Sequence, residues 1–352
     1  MMNMVKKNNK VLLGLSGGVD STAAALLLKE KGYEVTGYYF DVHGDNNNGR
    51  EEARETAESL GIDLICEDVS RDFSDIVIDN FRREYLRGRT PNPCIICNPA
   101  IKFKKLIENA DKIGAYHIAT GHYCRIKYDE ETDEYFVRRG VSLKKDQSYM
   151  LYRLNQQVLR RLIFPLGQFE SKEDIRTLVR EKNLRNAEKK DSQEICFINT
   201  DYAKYIESLG FSSKEGDFVD EEGNILGRHK GILHYTVGQR KGLGIALGKP
   251  VFVTSIDPEK NRVVLGDNYE LFNKKVVCED YFFTAGSPKR FEGKKLYAKV
   301  RYSAKPAAVS YEVYDKKIIA TFDEPQRAIA PGQSLVFYLD DAVVGGGFIA
   351  ST

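Results

Sequence analysis

The sequence predicts an α/β domain built on a parallel sheet, followed by a small central domain and a C-terminal β-barrel. Three observations lead there. Val11-Leu12-Leu13 runs through Gly14-Leu15 into a Ser-Gly-Gly turn and then into Thr22 to Leu28, the pattern of a buried strand, a tight turn and a helix that Gly32 ends. Apolar strand-like runs then alternate with helical stretches, which implies parallel pairing through right-handed crossovers. From about Tyr202 the alternation gives way to short β-like runs separated by turns. These shifts divide the chain into 1–200, 201–270 and 271–352.

In order, Glu34 to Asp41 reads as the second strand, and the polar loop Asp45 to Gly49 leads into a helix from Arg50 to Leu60 that Gly61 stops. Asp63 to Val69 is a third strand, Phe73 to Leu86 a helix, Ala100 to Asn109 another, and His117 to Gly121 a further short strand. Ligands of such sheets sit at the carboxyl ends of the strands, where Phe40 and Gly121 lie, one suited to stack on a ring and the other to allow close approach. Beyond a short helix at Tyr202 come the Gly-rich run Gly238 to Gly244 and the β-like Val251 to Thr254. Ala298 to Tyr302, Val309 to Tyr314 and Ile318 to Phe322 then supply barrel strands.

A chain of 352 residues exceeds one ordinary core, and 42% hydrophobic with 30% charged residues is a globular composition. No run approaches the roughly 20 apolar residues of a membrane span, and the polar start Met1 to Lys10 has no apolar signal region behind it, so the expected location is the cytosol. A net charge of +2 leaves any nucleic-acid surface to local clusters. Arg82-Arg83 with Arg87 and Arg89, Lys102 with Lys104-Lys105, and Arg240-Lys241 are candidates, each also readable as a solvated face.

Two stretches carry candidate chemistry. In Gly14-Leu15-Ser16-Gly17-Gly18-Val19-Asp20-Ser21 the turn meets a helix N-terminus, where unpaired N–H groups and the helix dipole favour an anion. The two turn glycines admit close approach, Ser16 and Ser21 add hydroxyls, and Asp20 could steer a magnesium ion. The Lys of a Walker A loop is absent. In Thr90-Pro91-Asn92-Pro93-Cys94-Ile95-Ile96-Cys97 two prolines deliver a cysteine pair to the start of a helix, a setting that lowers a thiol pKa. Alone, the pair reads as a redox couple, a zinc half-site or an iron–sulfur half-site, and no second C-x-x-C completes a zinc site. Cys196 lies near Lys189-Lys190, which could support a thiolate or persulfide, and between Ile195 and Phe197, which would suit a buried position. Cys66, Cys124 and Cys278 read as core.

The Ser-Gly-Gly-x-Asp-Ser string resembles the PP-loop of ATP pyrophosphatases, the adenine nucleotide alpha hydrolase-like fold. Together with Thr90 to Pro93, Cys97-Asn98, Gly121-His122-Tyr123, Lys145 to Tyr149, Asp191-Ser192 with Ile195 to Phe197, and Gly238 to Gly244, it makes the chain similar to the MnmA/TrmU family of tRNA-specific 2-thiouridylases from the loop almost to the C-terminus. The resemblance implies ATP and Mg2+ as cofactors, with ATP at Gly14, Leu15, Ser16, Gly17, Gly18, Val19, Asp20, Ser21, Phe40 and Gly121. It implies Cys97 as nucleophile and Cys196 as persulfide carrier, with tRNA contacts at Lys145, Asp146, Gln147, Arg301 and Tyr302, and Asn92, Pro93 and Cys94 beside the target base. The partners would be tRNA, presenting an anticodon wobble uridine, and a sulfur donor such as a cysteine desulfurase or sulfur relay protein, with no membrane.

On that reading ATP adenylates the uracil C2 oxygen, a Cys196 persulfide attacks C2, and Cys97 resolves the persulfide into a Cys97–Cys196 disulfide, so the two stretches must meet. The chain departs from the best-studied branch in having Cys94 where an aspartate follows Asn-Pro, and in a shorter segment after Phe40. Cys94, Cys97 and Cys196 would together suffice for an iron–sulfur cluster with one open iron, an alternative to the persulfide route.

Overall fold

The computed structural model describes residues 6–44, 48–182, 184–188, 195–198, 201–211 and 213–351. Lys189-Lys190, Asp191-Ser192 and the loop residues Asp45 to Asn47, all read above, lie outside them. The chain divides into two compact units: Met1–Val77 with Cys94–Gln193 and Asp341–Val344, and Ile78–Pro93 with Glu194–Asp340 and Gly345–Thr352.

The first unit holds a five-stranded sheet of β1 (Lys10–Gly14), β2 (Glu34–Asp41), β3 (Leu64–Asp68), β4 (His117–Ala119) and β7 (Leu162–Ile163), in the order β3-β2-β1-β4-β7. Among the described residues its pairings are all parallel, with Val11 opposite Val35 on one side and His117 on the other. Between β4 and β7 a hairpin intervenes, β5 (Cys124–Asp129) and β6 (Glu134–Arg139), whose Arg138 pairs with Ala342. Helix α1 (Val19–Glu30) lays Ala23, Ala24, Ala25 and Leu28 into a core shared with Val11, Leu13, Ile175 and Val179. Helix α2 (Asn48–Leu60) adds Ala57 and Leu60. Because the chain leaves β1 toward β2 and β3 and returns to β4 on the opposite side, β1 and β4 flank the point where strand order reverses. A crevice opens there at the carboxyl ends of the strands.

Two sequence-predicted helices differ from expectation by the same device. The stretch read as Phe73 to Leu86 is a short α-turn Ser70–Phe73, a π-helical turn Ser74–Ile78 and a helix Asp79–Leu86. The helix expected from Ala100 starts earlier, at Pro93–Cys97, passes through a π-helical turn Asn98–Lys102 and continues as Phe103–Lys112. Pro93 tolerates a first-turn position because its missing N–H has no intrahelical acceptor there, and the wide turn contains Pro99, which offers no N–H to the ladder.

In the second unit, β8 (Gly216–Val219), β9 (Ile225–His229), β10 (Phe252–Asp257) and β11 (Arg262–Gly266) form a four-stranded sheet around Phe218, Tyr235, Val253 and Val263. Beyond them, β12 (Phe272–Phe283), β13 (Leu296–Lys299), β14 (Ala307–Tyr314), β15 (Lys317–Arg327), β16 (Ser334–Leu339) and β17 (Ala342–Ser351) run in the order β12-β15-β14-β13-β16-β17. A β12–β17 pairing closes the six strands into a barrel. The strands begin one or two residues earlier than the sequence suggests, and β15 is longer, because the β-branched and aromatic runs that flag a strand extend through polar ladder positions.

Candidate active site: an anion cradle at the sheet crossover

The crevice between β1 and β4 is a cleft of about 180 Å³ lined by Gly14, Leu15, Ser16, Asp20, Ser21, Tyr39, Phe40, Lys102, Thr120, Gly121 and His122. The loop that enters it is held by its own polar groups. Ser16 N–H donates to Ser21 Oγ at 3.2 Å, and Ser21 Oγ and Thr22 Oγ1 each donate to the Gly18 carbonyl at 3.0 Å. Gly17 adopts φ +73°, and a Cβ there would lie 2.9 Å from the Glu52 carbonyl carbon, so glycine is required. Gly18, the residue before α1, has φ −89° and open space around its absent side chain apart from Ser16 Oγ at 3.5 Å. Asn186 fastens the loop from outside, donating Nδ2 to the Gly17 carbonyl at 3.0 Å and to Thr56 Oγ1 at 2.8 Å.

Asp20 projects into the cleft with both carboxylate oxygens engaged. Tyr123 donates its hydroxyl to Oδ1 at 2.6 Å, and Lys172 Nζ reaches Oδ2 at 3.0 Å. Lys172 opens the helix Lys172–Glu181, capped by Ser171 Oγ, which accepts from Asp174 N–H at 3.2 Å. Gly121 lines the cleft, and a Cβ there would lie 3.1 Å from Asp20's own carbonyl carbon, so glycine also keeps the end of β4 against the loop. Phe40 lines the cleft and meets Tyr38 edge-on, ring centroids 4.6 Å apart.

His122 sits between Phe103 and Phe164 and shares a 2.7 Å hydrogen bond between Nδ1 and Thr120 Oγ1. Burial, aided by the charge of Lys102, holds its pKa well below the usual 6.5, so the ring is neutral at pH 7. The Lys102-Lys104-Lys105 cluster is therefore not one solvated face. Lys105 pairs with Glu67 at 3.0 Å and Asp72 at 3.2 Å, Lys104 is exposed, and Lys102 lines the cleft.

The arginine cluster in the second unit is paired at several points: Arg82 and Arg83 with Asp79, Arg87 with Glu84, and Arg89 with Glu84 and Glu279. Of the cysteines, Cys124 and Cys278 are core as expected, but Cys66 is half-buried on the edge strand β3. Cys94 and Cys97 occupy the helix Pro93–Cys97 and are half-exposed. The expectation of a low thiol pKa at this helix start does not hold for Cys94, because burial pushes it up against the smaller opposing pull of Lys102. Cys196, whose neighbours suggested a buried position, is exposed, while Phe197 and Ile198 are buried, Phe197 lying edge-on to Phe81 at 5.5 Å. Cys97 belongs to the first unit and Cys196 to the second. Among the described residues no three His, Cys, Asp or Glu side chains gather as metal ligands.

The residues expected to touch tRNA divide. Asp146 is only 5% exposed, and its carboxylate accepts from Gly140 N–H at 3.1 Å, Ser148 N–H at 3.1 Å and Ser148 Oγ at 2.9 Å, which shapes the loop. Gln147 Oε1 likewise accepts from Tyr123 N–H at 3.0 Å, and Lys145 is half-buried. In the second unit Arg301 Nη1 reaches the carbonyls of Arg327 at 3.2 Å and Ala328 at 3.4 Å, and Lys299 lies 5.5 Å from the centre of the exposed Tyr302 ring. Asn92 is half-buried and Pro93 buried.

Comparison with known proteins places this architecture. A family model described as a tRNA methyl transferase HUP domain matches residues 9–200, a tRNA methyl transferase PRC-barrel domain matches 204–267, and an aminomethyltransferase beta-barrel domain matches 273–349. The tRNA-specific 2-thiouridylase MnmA of Acetivibrio thermocellus is 47% identical over 356 residues, covering 97% of this chain and 99% of its own. This chain belongs to the MnmA family of tRNA-specific 2-thiouridylases. The Clostridioides difficile MnmA is 46% identical over 97% of this chain and 98% of its own, and one from Caldanaerobacter subterraneus is 45% identical over 97% and 98%. Within this family, Lys172, Tyr123 and Asn186 are the site residues that sequence reading missed. Ser171-Lys172-Glu173-Asp174, a Ser with an acid three residues on, is the helix-start signal that could have found the first.

Proposed function

We propose that the protein is an ATP-dependent tRNA sulfurtransferase that converts the wobble uridine to 2-thiouridine in the cytoplasm. The observation that carries the reading is one helical run, 93–112, with Cys94 and Cys97 at its head and Lys102 in the wall of the anion cradle. It ties a thiol pair to a phosphate site, which neither a metabolite ligase nor a non-catalytic RNA-binding protein needs.

ATP binds in the loop Ser16 to Ser21 with its phosphates on the N–H groups from Gly17 onward and its base toward Phe40, and Asp20 is the carboxylate suited to magnesium. The uracil C2 oxygen attacks the α-phosphorus, the α–β phosphoanhydride bond breaks, and pyrophosphate leaves with the bonding pair. The terminal sulfur of a Cys196 persulfide then attacks C2, AMP departs with the former C2 oxygen, and Cys97 attacks Cys196 Sγ to release the sulfur. The resulting Cys97–Cys196 disulfide needs an external dithiol before the next turnover. An exposed Cys196 suits loading by a sulfur donor protein. Asn92, Pro93 and Cys94 would border the flipped base, and Lys145, Gln147, Arg301 and Tyr302 the anticodon arm, with 1–200 serving adenylation, 201–270 and 271–352 the tRNA.

Anaerobically purified protein incubated with ATP, a persulfide (sulfane-sulfur) donor, a dithiol and unmodified tRNA should yield 2-thiouridine on nucleoside mass analysis. Cys196→Ala should release pyrophosphate but form none. Failure of the wild-type protein to thiolate under these conditions would reject the reading.

A further inference from the structure

The loop lacks the lysine that other phosphate loops carry, so the charge it receives must be met from elsewhere. Two ammonium groups stand near it. Lys172 is already bound to Asp20 at 3.0 Å. Lys102 lines the cleft directly, and among the described residues it has neither a hydrogen-bond nor an ion-pair partner. Its helical neighbours at three and four residues, Asn98, Pro99, Lys105 and Leu106, include no acid. A half-buried ammonium without a counter-ion is unfavourable unless an anion completes the site.

We propose that Lys102 binds the α-phosphate of ATP, and retains it as the adenylate and then AMP, an assignment that rests on the function proposed above. Three placements support this phosphate rather than the outer two. On the proposed mechanism the loop N–H groups at the start of α1 would hold the departing pyrophosphate, which is the β and γ groups. Lys102 shares its wall with Thr120, Gly121 and His122, the β4 side of the cleft. It also ends the π-helical turn that begins one residue after Cys97, and its charge is felt at both His122 and Cys94, so it stands between the nucleotide and the cysteine-bearing end of the helix. As the uracil oxygen bonds to the α-phosphorus and pyrophosphate leaves, a Lys102 N–H directed at a non-bridging α-oxygen would oppose the charge that builds there.

The test is nucleotide binding by calorimetry to the full-length protein, with adenosine, AMP, ATP and pyrophosphate as separate probes. Lys102→Met keeps the apolar stem and removes the charge. It should weaken AMP and ATP each by about tenfold or more, the scale of one charge-assisted hydrogen bond, and leave adenosine and pyrophosphate unchanged. Lys102→Arg should recover part of the loss. Unchanged AMP affinity, or a loss confined to ATP and pyrophosphate, overturns the assignment. An equal loss for adenosine and AMP overturns it too, since that would mean a collapsed pocket. Wild-type protein that binds no adenine nucleotide would instead fail the proposed function itself, and this inference with it.

Discussion

Gly17→Ala and Gly18→Ala differ by one position in the chain and should differ sharply in consequence. At Gly17 the backbone has φ +73°, and the new Cβ would lie 2.9 Å from the carbonyl carbon of Glu52, 3.0 Å from its oxygen and 3.1 Å from the Ala53 nitrogen. Left-handed backbone costs an L-residue about 1–2 kcal/mol. The contact is with the backbone of α2 rather than with a side chain that could turn away, so overpacking adds about 1–3 kcal/mol. The total, about 2–5 kcal/mol, falls on a loop whose carbonyl is also held by Asn186. At Gly18 φ is −89° and the nearest atom is Ser16 Oγ at 3.5 Å, so alanine should cost under about 1 kcal/mol. Thermal unfolding followed by circular dichroism, with ATP affinity measured alongside, checks this. Gly17→Ala should unfold at a distinctly lower temperature and bind ATP at least about tenfold more weakly if even 1.4 kcal/mol of the strain reaches the site, while Gly18→Ala stays close to wild type. Equal behaviour of the two variants would refute the steric argument.

Other outcomes follow from the same geometry. His122 is held neutral, so below pH about 6.5 the unfolded chain binds a proton that the folded chain resists. Stability should therefore fall as pH drops through 6.5, and His122→Asn should flatten that slope in melting temperatures measured between pH 5 and 8. Because burial raises the Cys94 pKa, its alkylation by iodoacetamide, followed site by site by mass spectrometry, should lag behind that of exposed Cys196 at pH 7 and still be climbing above pH 9.0. Asp146→Ala strands the Gly140 and Ser148 donors and should lower stability by about 1–3 kcal/mol for each one left buried and unsatisfied. Lys145→Ala should reduce the slope of log tRNA affinity against log salt by about one phosphate contact.

What could be read from sequence was local. The cradle was legible because strand, glycine turn and helix start are consecutive, and the barrel because turns punctuate its strands. The partners of Asp20 were not, since Tyr123 and Lys172 lie 103 and 152 residues away and are delivered by the return of β4 and a capped helix. Lys102 was hidden differently. Lys102, Lys104 and Lys105 read from sequence as one basic cluster, and only packing separates Lys102 in the cleft wall from exposed Lys104. The raised pKa of Cys94 ran against the helix-start expectation because desolvation outweighs the dipole there, and the two readings of Cys196 were separated only by packing, which leaves it exposed beside buried Phe197.

The widened turn Asn98–Lys102 makes residue count at this point a coordinate of the enzyme. A π-helical turn holds one residue more than the α-helix it interrupts, and each residue advances the helix by about 100°. The turn absorbs that residue within roughly one turn, so its flanks keep nearly the relative rotation of a continuous helix. One further residue inserted between Asn98 and Lys102 would exceed what it absorbs and rotate Cys94 and Cys97 by about 100° relative to Phe103–Lys112. Such a variant would keep every side chain named here and still have its thiols aimed elsewhere. The spacing between the cysteine pair and Phe103 should therefore resist insertion more strictly than the identity of Ala100 or Ile101 resists substitution.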